Sequence, residues 1–158
     1  EYSFRIDGFY QEIDGNRFGT ILIFYEDGSC LEIGHYFNDV DEFLGYLEKN
    51  EILIREFKGS EGGWGGYFLA GDSDELVIQT VNRFPNGMPF PPSYRISERR
   101  GSIVNDTTFH VIDRYINDRA GFVTKNQLVF RFFPLLSKPD SINWVKQRME
   151  EKYGLNEN

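Results

Sequence analysis

The sequence predicts an all-β domain of short antiparallel strands, and three observations support this prediction. Aromatic residues make up 16% of the chain, as 15 Phe, nine Tyr and two Trp, and such residues suit half-buried pleated surfaces. Short apolar runs recur along the chain, and turn residues separate them. No linker or internal repeat divides the 158 residues, so we expect a single domain over 1–158.

The first half of the chain contains the clearest strand and turn patterns. Apolar and polar residues alternate over residues 3–13. Residues 20–25 are too apolar for simple alternation, which predicts a strand buried on both faces. The pair Asp27-Gly28 follows and predicts a tight hairpin to a strand over 30–37. A second hairpin is predicted where residues 67–70 and 75–81 flank a polar turn.

A change of period predicts an internal helix between these hairpins. Four apolar residues recur at the spacing of one helix face, namely Val40, Phe43, Leu44 and Leu47. Asp39, with Glu42 three residues later, has the pattern of an N-terminal cap. We therefore expect a helix over about 39–49.

The middle of the chain is predicted to contain one strand and two loops. Residues 52–57 are predicted as a strand, and residues 58–66 as a glycine-rich loop around Trp64. This loop lacks the Gly-Lys-Ser/Thr ending of a phosphate-binding loop. Four of the six prolines lie in residues 84–92, where fixed φ angles and missing N–H donors exclude a central strand. That loop either covers an open end of the domain or folds over a gap in the core.

Four more strands and a second helix are predicted in the remaining sequence. The strands are residues 94–98, 101–104, 108–116 and 127–133, with breaks at Arg99-Arg100 and Asn105-Asp106. A C-terminal helix is expected over about 140–152, with Ile142, Val145 and Met149 on one face. Strands at this spacing form either a sandwich or a barrel, and periodicity does not distinguish the two.

A family resemblance favours the barrel. Gly8-Phe9-Tyr10 resembles the Gly-x-Trp motif in the first strand of lipocalins, with Tyr in place of Trp. The late strand that carries Arg131 and precedes a predicted helix is similar to the C-terminal part of lipocalins. Residues 94–109 also resemble strands of secreted bacterial lipocalin-like domains, many of which have no assigned function.

The resemblance implies an antiparallel up-and-down barrel of about 8–10 strands. Gly8, Tyr10 and Arg131 would close its floor, with the guanidinium packed over the Tyr10 ring. The internal helix would cap the barrel or pack against its side.

Charge and residue content exclude several classes of function. The net charge of −8 argues against a nucleic-acid partner, because affinity for phosphate backbones comes mainly from Lys and Arg. Cys30 is the single cysteine, and His35 and His110 lack metal-ligand spacing, so we expect no disulfide, metal site or cofactor. No apolar run approaches the ~20 residues of a transmembrane helix.

Two functions from different classes follow from the predicted barrel. The first is binding of a small apolar or amphipathic ligand inside the barrel. Arg95 would be the polar anchor for this ligand. Aromatic residues would line the mouth, namely Trp64, Tyr67, Phe90 and Tyr94. Four further polar residues could point inward, namely Gln79, Asp113, Arg114 and Arg131.

The alternative is a cell-envelope module that recognises a protein or glycan through the proline-rich loop, with no ligand in the barrel. An enzyme ranks third, since no catalytic set is identified. We expect a monomer. Because the chain begins without Met, we also expect processing after export, to the periplasm or cell surface.

Overall fold

A computed structural model of the chain describes residues 4–14, 17–34, 37, 39–56, 62–70, 74–84, 93–116, 119–120, 128–135 and 138. Within them, nine strands and one helix follow each other along the sequence. The strands are β1 (Gly8–Asp14), β2 (Arg17–Phe24), β3 (Ser29–Ile33), β4 (Gly62–Leu69), β5 (Glu75–Phe84), β6 (Ser93–Asn105), β7 (Thr108–Ile116), β8 (Arg119–Ala120) and β9 (Leu128–Pro134). The helix α1 (Val40–Glu56) lies between β3 and β4.

Eight of the described strands form a closed antiparallel barrel. Each strand from β1 to β7 pairs with the next along the chain, and β9 lies between β7 and β1 and closes the ring. The short β8 pairs only with the end of β7. The all-β up-and-down barrel that the sequence predicts is therefore confirmed. The C-terminal helix predicted at 140–152 lies outside the described residues.

The barrel wall has an apolar layer on each side. The inner layer comprises Tyr10, Leu22, Phe24, Cys30, Leu76, Ile78, Ile103, Phe109, Val111 and Phe130. The outer layer alternates with it along the strands and includes Phe9, Ile21, Ile23, Tyr25, Leu31, Ile33 and Trp64. Phe43 and Leu47 of α1 belong to the outer layer, so the helix packs against the side of the barrel. This packing buries β2 on both faces, as predicted.

The first predicted hairpin and the helix cap are both confirmed. Gly28 has a φ of 79°, which favours glycine, and its N–H donates to the Tyr25 carbonyl oxygen at 3.1 Å. Asp27 Oδ1 accepts a hydrogen bond from the Ser29 N–H at 2.9 Å. At the start of α1, Asp39 Oδ1 accepts a hydrogen bond from the Glu42 N–H at 2.8 Å.

The helix is longer than the sequence predicts. It continues to Glu56, so the strand predicted at 52–57 is wrong. Residues 52–54 are Ile-Leu-Ile, and periodicity alone does not separate such a short apolar run in a helix from one in a strand. Once a helix has begun, each added residue gains a backbone hydrogen bond, which favours extension of α1 through this run.

Several strands differ from their predicted bounds; β3 ends at Ile33, short of the predicted residue 37, and the largest departures are in β6 and β4. β6 runs unbroken from Ser93 to Asn105, so the break predicted at Arg99-Arg100 is wrong. Arg100 pairs with Asp113 and Gly101 with Val111, which leaves one extra residue on β7 as a β-bulge. β4 begins at Gly62, inside the segment predicted as a loop.

Gly65 of β4 provides a test of the close contact between β4 and β5. A Cβ atom at Gly65 would lie 1.7 Å from the Gln79 carbonyl oxygen. We predict that Gly65→Ala lowers the free energy of unfolding by about 2–4 kcal/mol, because the backbone must move. The control is Gly45→Ala in α1, where a Cβ meets nothing within 4 Å and the change should be neutral or stabilising by up to ~1 kcal/mol. Urea unfolding measures the free energy of unfolding of both variants. Equal stability of the two variants would contradict the close contact between Gly65 and β5.

Candidate functional site

One end of the barrel interior is occupied by aromatic rings. Phe4, in the segment before β1, stacks on Tyr10 with ring centroids 5.0 Å apart, and its edge meets Phe24 at 4.9 Å. Tyr67 lies 4.8 Å from Phe24, and Phe109 lies 5.0 Å from Tyr10. The Tyr10 hydroxyl donates to the Asp106 carbonyl oxygen at 3.2 Å, and the Tyr67 hydroxyl donates to the Tyr25 carbonyl oxygen at 2.9 Å. This cluster, here named the aromatic end, closes the floor of the barrel.

The cation at the aromatic end is Arg5 rather than Arg131. The Arg5 guanidinium lies 4.1 Å from the centre of the Phe132 ring. Arg131 is exposed and pairs with Gln11, whereas Tyr10 pairs with Phe132. Because neighbouring residues of a strand point to opposite faces, Arg131 lies on the outer face and not over Tyr10. Gly8 lies at the floor, where a Cβ would come within 2.6 Å of the Phe132 ring.

Lys138 attaches the segment before β1 to the barrel. Its ammonium group donates to the carbonyl oxygens of Ile6 and Phe24, at 3.0 Å for the latter. The same group lies 5.1 Å from the centre of the Tyr25 ring. Burial lowers the pKa of Lys138, and the nearby carboxylates of Glu26 and Asp7 partly oppose this shift. These bonds satisfy two carbonyl oxygens at the closed floor.

The other half of the interior contains a buried ion pair between β3 and β6. Arg99 donates from Nη1 to Glu32 Oε2 at 2.9 Å and from Nη2 to Glu32 Oε1 at 2.5 Å. The Thr80 hydroxyl also donates to Glu32 Oε2. Arg99 is 2% exposed and Glu32 is 6% exposed. Burial disfavours the Arg99 charge, but the attraction of Glu32 and its hydrogen bonds outweigh burial and raise the pKa of Arg99.

Glycines of β4 allow the ion pair to form. Glu32 pairs with Gly63, and Gly65 pairs with Thr80, so at the level of these two glycines β4 places no side chain between β3 and β5 on the inner face. Glu32 can therefore contact Thr80, which lies two strands away. Part of the glycine-rich stretch predicted as a loop is thus a section of the barrel wall without inward-facing side chains.

Ser97 adds a hydroxyl to this cluster. It pairs with Thr80 across β5 and β6, and it lies two residues before Arg99 on the same inner face. Ser97 is 3% exposed, and its Oγ has no hydrogen-bond partner within the described part of the chain. A buried unsatisfied hydroxyl costs about 1–3 kcal/mol, so such a group commonly bonds to water or a ligand. Glu32, Thr80, Ser97 and Arg99 are named here the polar cluster.

Two more charged residues lie at the same end of the barrel. Glu12 pairs with the inner-layer residue Phe130, and its Oε2 accepts a hydrogen bond from the Thr20 N–H at 3.3 Å. The Glu12 charge also favours the protonated form of Arg99. Arg95 lies on the same face of β6 as Ser97 and Arg99, but it is exposed. The polar cluster is thus bordered by a carboxylate and, at the rim, by a guanidinium.

The residues predicted to line the mouth do not form one group. Trp64 is fully buried in the outer layer under α1, with its ring 5.7 Å from that of Tyr25. Tyr67 belongs to the aromatic end, and Tyr94 is exposed on the outer face of β6. Arg95 alone among them borders the polar cluster. Phe90 and the rest of residues 85–92 lie outside the described part of the chain.

Two of the four polar residues proposed to point inward, Gln79 and Arg131, lie on the outer face. Gln79 is exposed on the outer face and donates to Glu98 at 2.6 Å, and the side chains of Asp113 and Arg114 are outside the described set. Glu32 and Arg99, which are not among the four proposed residues, do point inward. Alternation in the sequence does not identify Glu32, because a charged residue between Leu31 and Ile33 has the pattern of a residue that faces solvent.

Comparisons with known proteins found no family model, curated protein or solved structure that matches this chain. The likeness to lipocalins therefore extends to the closed antiparallel barrel alone. Among the described residues, no helix is long and apolar enough to cross a membrane. Within the same residues, no group of three or more His, Cys, Asp or Glu side chains is placed to hold a metal ion.

The Cys30 thiol predicts an alkaline loss of stability. Burial, followed by the charge of Glu32, raises the pKa of Cys30 far above its ordinary value of 9.0. Above that pH the unfolded chain loses this proton while the folded chain keeps it, so stability falls by up to about 1.4 kcal/mol per pH unit. We expect the stability of Cys30→Ala to fall less steeply than that of the wild-type protein between about pH 9 and pH 10, because the Tyr10 and Tyr67 hydroxyls, whose pKa values burial also raises, contribute to the fall in both proteins. Urea unfolding of both proteins across this pH range tests the prediction. Parallel curves of unfolding free energy against pH would contradict it.

The Glu32–Arg99 pair predicts a non-additive mutant cycle. Glu32→Gln and Arg99→Met should each lower the free energy of unfolding by about 3–5 kcal/mol, because each leaves one buried charge without its partner. The double variant should lose less than the sum of the two. The control is Glu98→Gln, which removes the outer-face pair of Glu98 and Arg100 and should cost below about 1 kcal/mol. Losses no larger than that of the control would show that the inner pair is unimportant for stability.

Proposed function

We propose that this protein binds a small amphipathic molecule in the polar half of its barrel. The observation that supports this function is the division of the interior into an aromatic end filled by rings and a polar cluster whose buried Ser97 hydroxyl has no hydrogen-bond partner among the described residues. Eight-stranded barrels either fill their interior with side chains or hold one small ligand. A buried polar group without a hydrogen-bond partner favours a bound ligand at this end of the barrel.

The surroundings of the polar cluster suit a molecule with both polar and apolar parts. Leu22 pairs with Glu32 across β2 and β3, and Ile78 lies two residues before Thr80 on the same face of β5. Both side chains are buried in the inner layer. An apolar chain could contact these aliphatic groups while its polar end bonds to Ser97. A purely apolar ligand would leave the Ser97 hydroxyl unsatisfied.

A second candidate function is recognition of a protein or glycan by the outer face of the barrel. Tyr94 and Ile96 are 48% and 51% exposed, two residues apart on the outer face of β6. They lie next in sequence to the proline-rich residues 85–92. Adjacent exposed apolar side chains are a common feature of interaction sites.

Native mass spectrometry with monolaurin as probe tests the first function. We expect one monolaurin per chain in the wild-type protein. We expect little binding in Ser97→Leu, whose side chain replaces the hydroxyl and fills space beside the polar cluster. The matched control Tyr94→Ser changes only the outer face and should bind as the wild-type protein does. Circular dichroism verifies that each variant keeps its strands.

The outcomes separate the two candidate functions. Binding that Ser97→Leu abolishes and Tyr94→Ser preserves supports the interior site. Binding that Tyr94→Ser abolishes and Ser97→Leu preserves supports the outer face. A folded wild-type protein that binds no monolaurin contradicts the interior site for this class of molecule.

A further inference from the structure

We infer that the interior site selects a ligand with a neutral polar group, such as a hydroxyl or an ester, over a ligand with a carboxylate. This inference rests on the proposed function and specifies its ligand class. Its basis is the distribution of charge around Ser97.

The positive charge inside the barrel already has a partner. Arg99 directs both of its Nη groups to the two carboxylate oxygens of Glu32. This bidentate arrangement is the one in which a guanidinium best binds a ligand carboxylate. A ligand carboxylate would therefore have to compete with Glu32, which the Thr80 hydroxyl further holds in place.

Two carboxylates near the site, those of Glu12 and Glu32, oppose a second anion. Glu12 lies at this end of the interior. The two carboxylates of Glu12 and Glu32 and the one guanidinium of Arg99 together carry a net charge of −1. Bringing another carboxylate out of water beside them costs desolvation and adds like-charge repulsion. The Cys30 thiol experiences the same environment, since burial and the Glu32 charge both raise its pKa and so disfavour its anion.

Ser97 suits a neutral group. Its hydroxyl can donate one hydrogen bond and accept two, and it carries no charge. Because it is buried, a ligand that satisfies it gains more than it would at the surface. Arg95 offers a cation only at the exposed rim, where water screens its attraction for a carboxylate.

Two ligands with the same chain length test this selection. 1-Decanol and decanoic acid differ at the polar end, and at pH 8 the acid is ionised. Isothermal titration calorimetry gives the dissociation constant of each for the full chain. We expect the wild-type protein to bind decanol at least tenfold more tightly than decanoate. Ser97→Ala should weaken decanol binding at least fivefold and leave decanoate binding nearly unchanged.

Glu32→Gln should reverse the preference, because it frees the Arg99 charge to bind the carboxylate of decanoate. We expect decanoate binding to increase at least tenfold in this variant. The matched control Glu98→Gln makes the same chemical change on the outer face and should leave both affinities unchanged. If Glu32→Gln does not fold, two other results test the selection. They are the ratio of the decanol and decanoate dissociation constants of the wild-type protein and the effect of Ser97→Ala on each constant.

The possible failures are distinct. Decanoate binding that equals or exceeds decanol binding, with both lost in Ser97→Leu, overturns the selection and leaves the interior site intact. Binding of neither ligand overturns the interior site for chains of this kind, and the selection with it. Equal loss of both ligands in Ser97→Ala also overturns the selection, because the hydroxyl would then not distinguish them.

Discussion

The ion pair between Glu32 and Arg99 organises the interior of this barrel. It joins β3 to β6 across two intervening strands, and it forms because β4 presents only glycines on the inner face at that level. Two charges inside a protein cost several kcal/mol of desolvation each unless their geometry and hydrogen bonds compensate. The bidentate contact and the Thr80 hydroxyl supply that compensation. The position of this pair determines which half of the interior is polar.

The two halves of the interior consequently have different roles. At the aromatic end, the segment before β1 inserts Phe4 among the rings of Tyr10 and Phe24, and Arg5 and Lys138 cover the outside of this packing. Close-packed rings contribute stability through buried area and edge-to-face contacts. The helix α1 packs against the outer face of the wall through Phe43 and Leu47. The rigid, closed floor thus supports a less completely satisfied polar half.

The polar half reduces stability in a way that is typical of functional sites. Ser97 leaves a buried hydroxyl without a hydrogen-bond partner among the described residues, and Glu32 and Arg99 are buried charges. An apolar filling of these positions would give a more stable barrel. Local departures of this kind occur where proteins bind or react, which is why the polar cluster is the strongest candidate site in the described residues.

The sequence by itself determined the features that depend on neighbouring residues. The β class, the turn at Asp27-Gly28, the cap at Asp39 and the doubly buried β2 follow from backbone dihedrals, local hydrogen bonds and apolar runs. Tertiary structure decided the rest. Alternation places residues on two faces of a strand, but only barrel closure decides which face is inside, so Arg99 became interior and Trp64 exterior. The inner site was therefore not predictable residue by residue, because its members meet only through the register of distant strands.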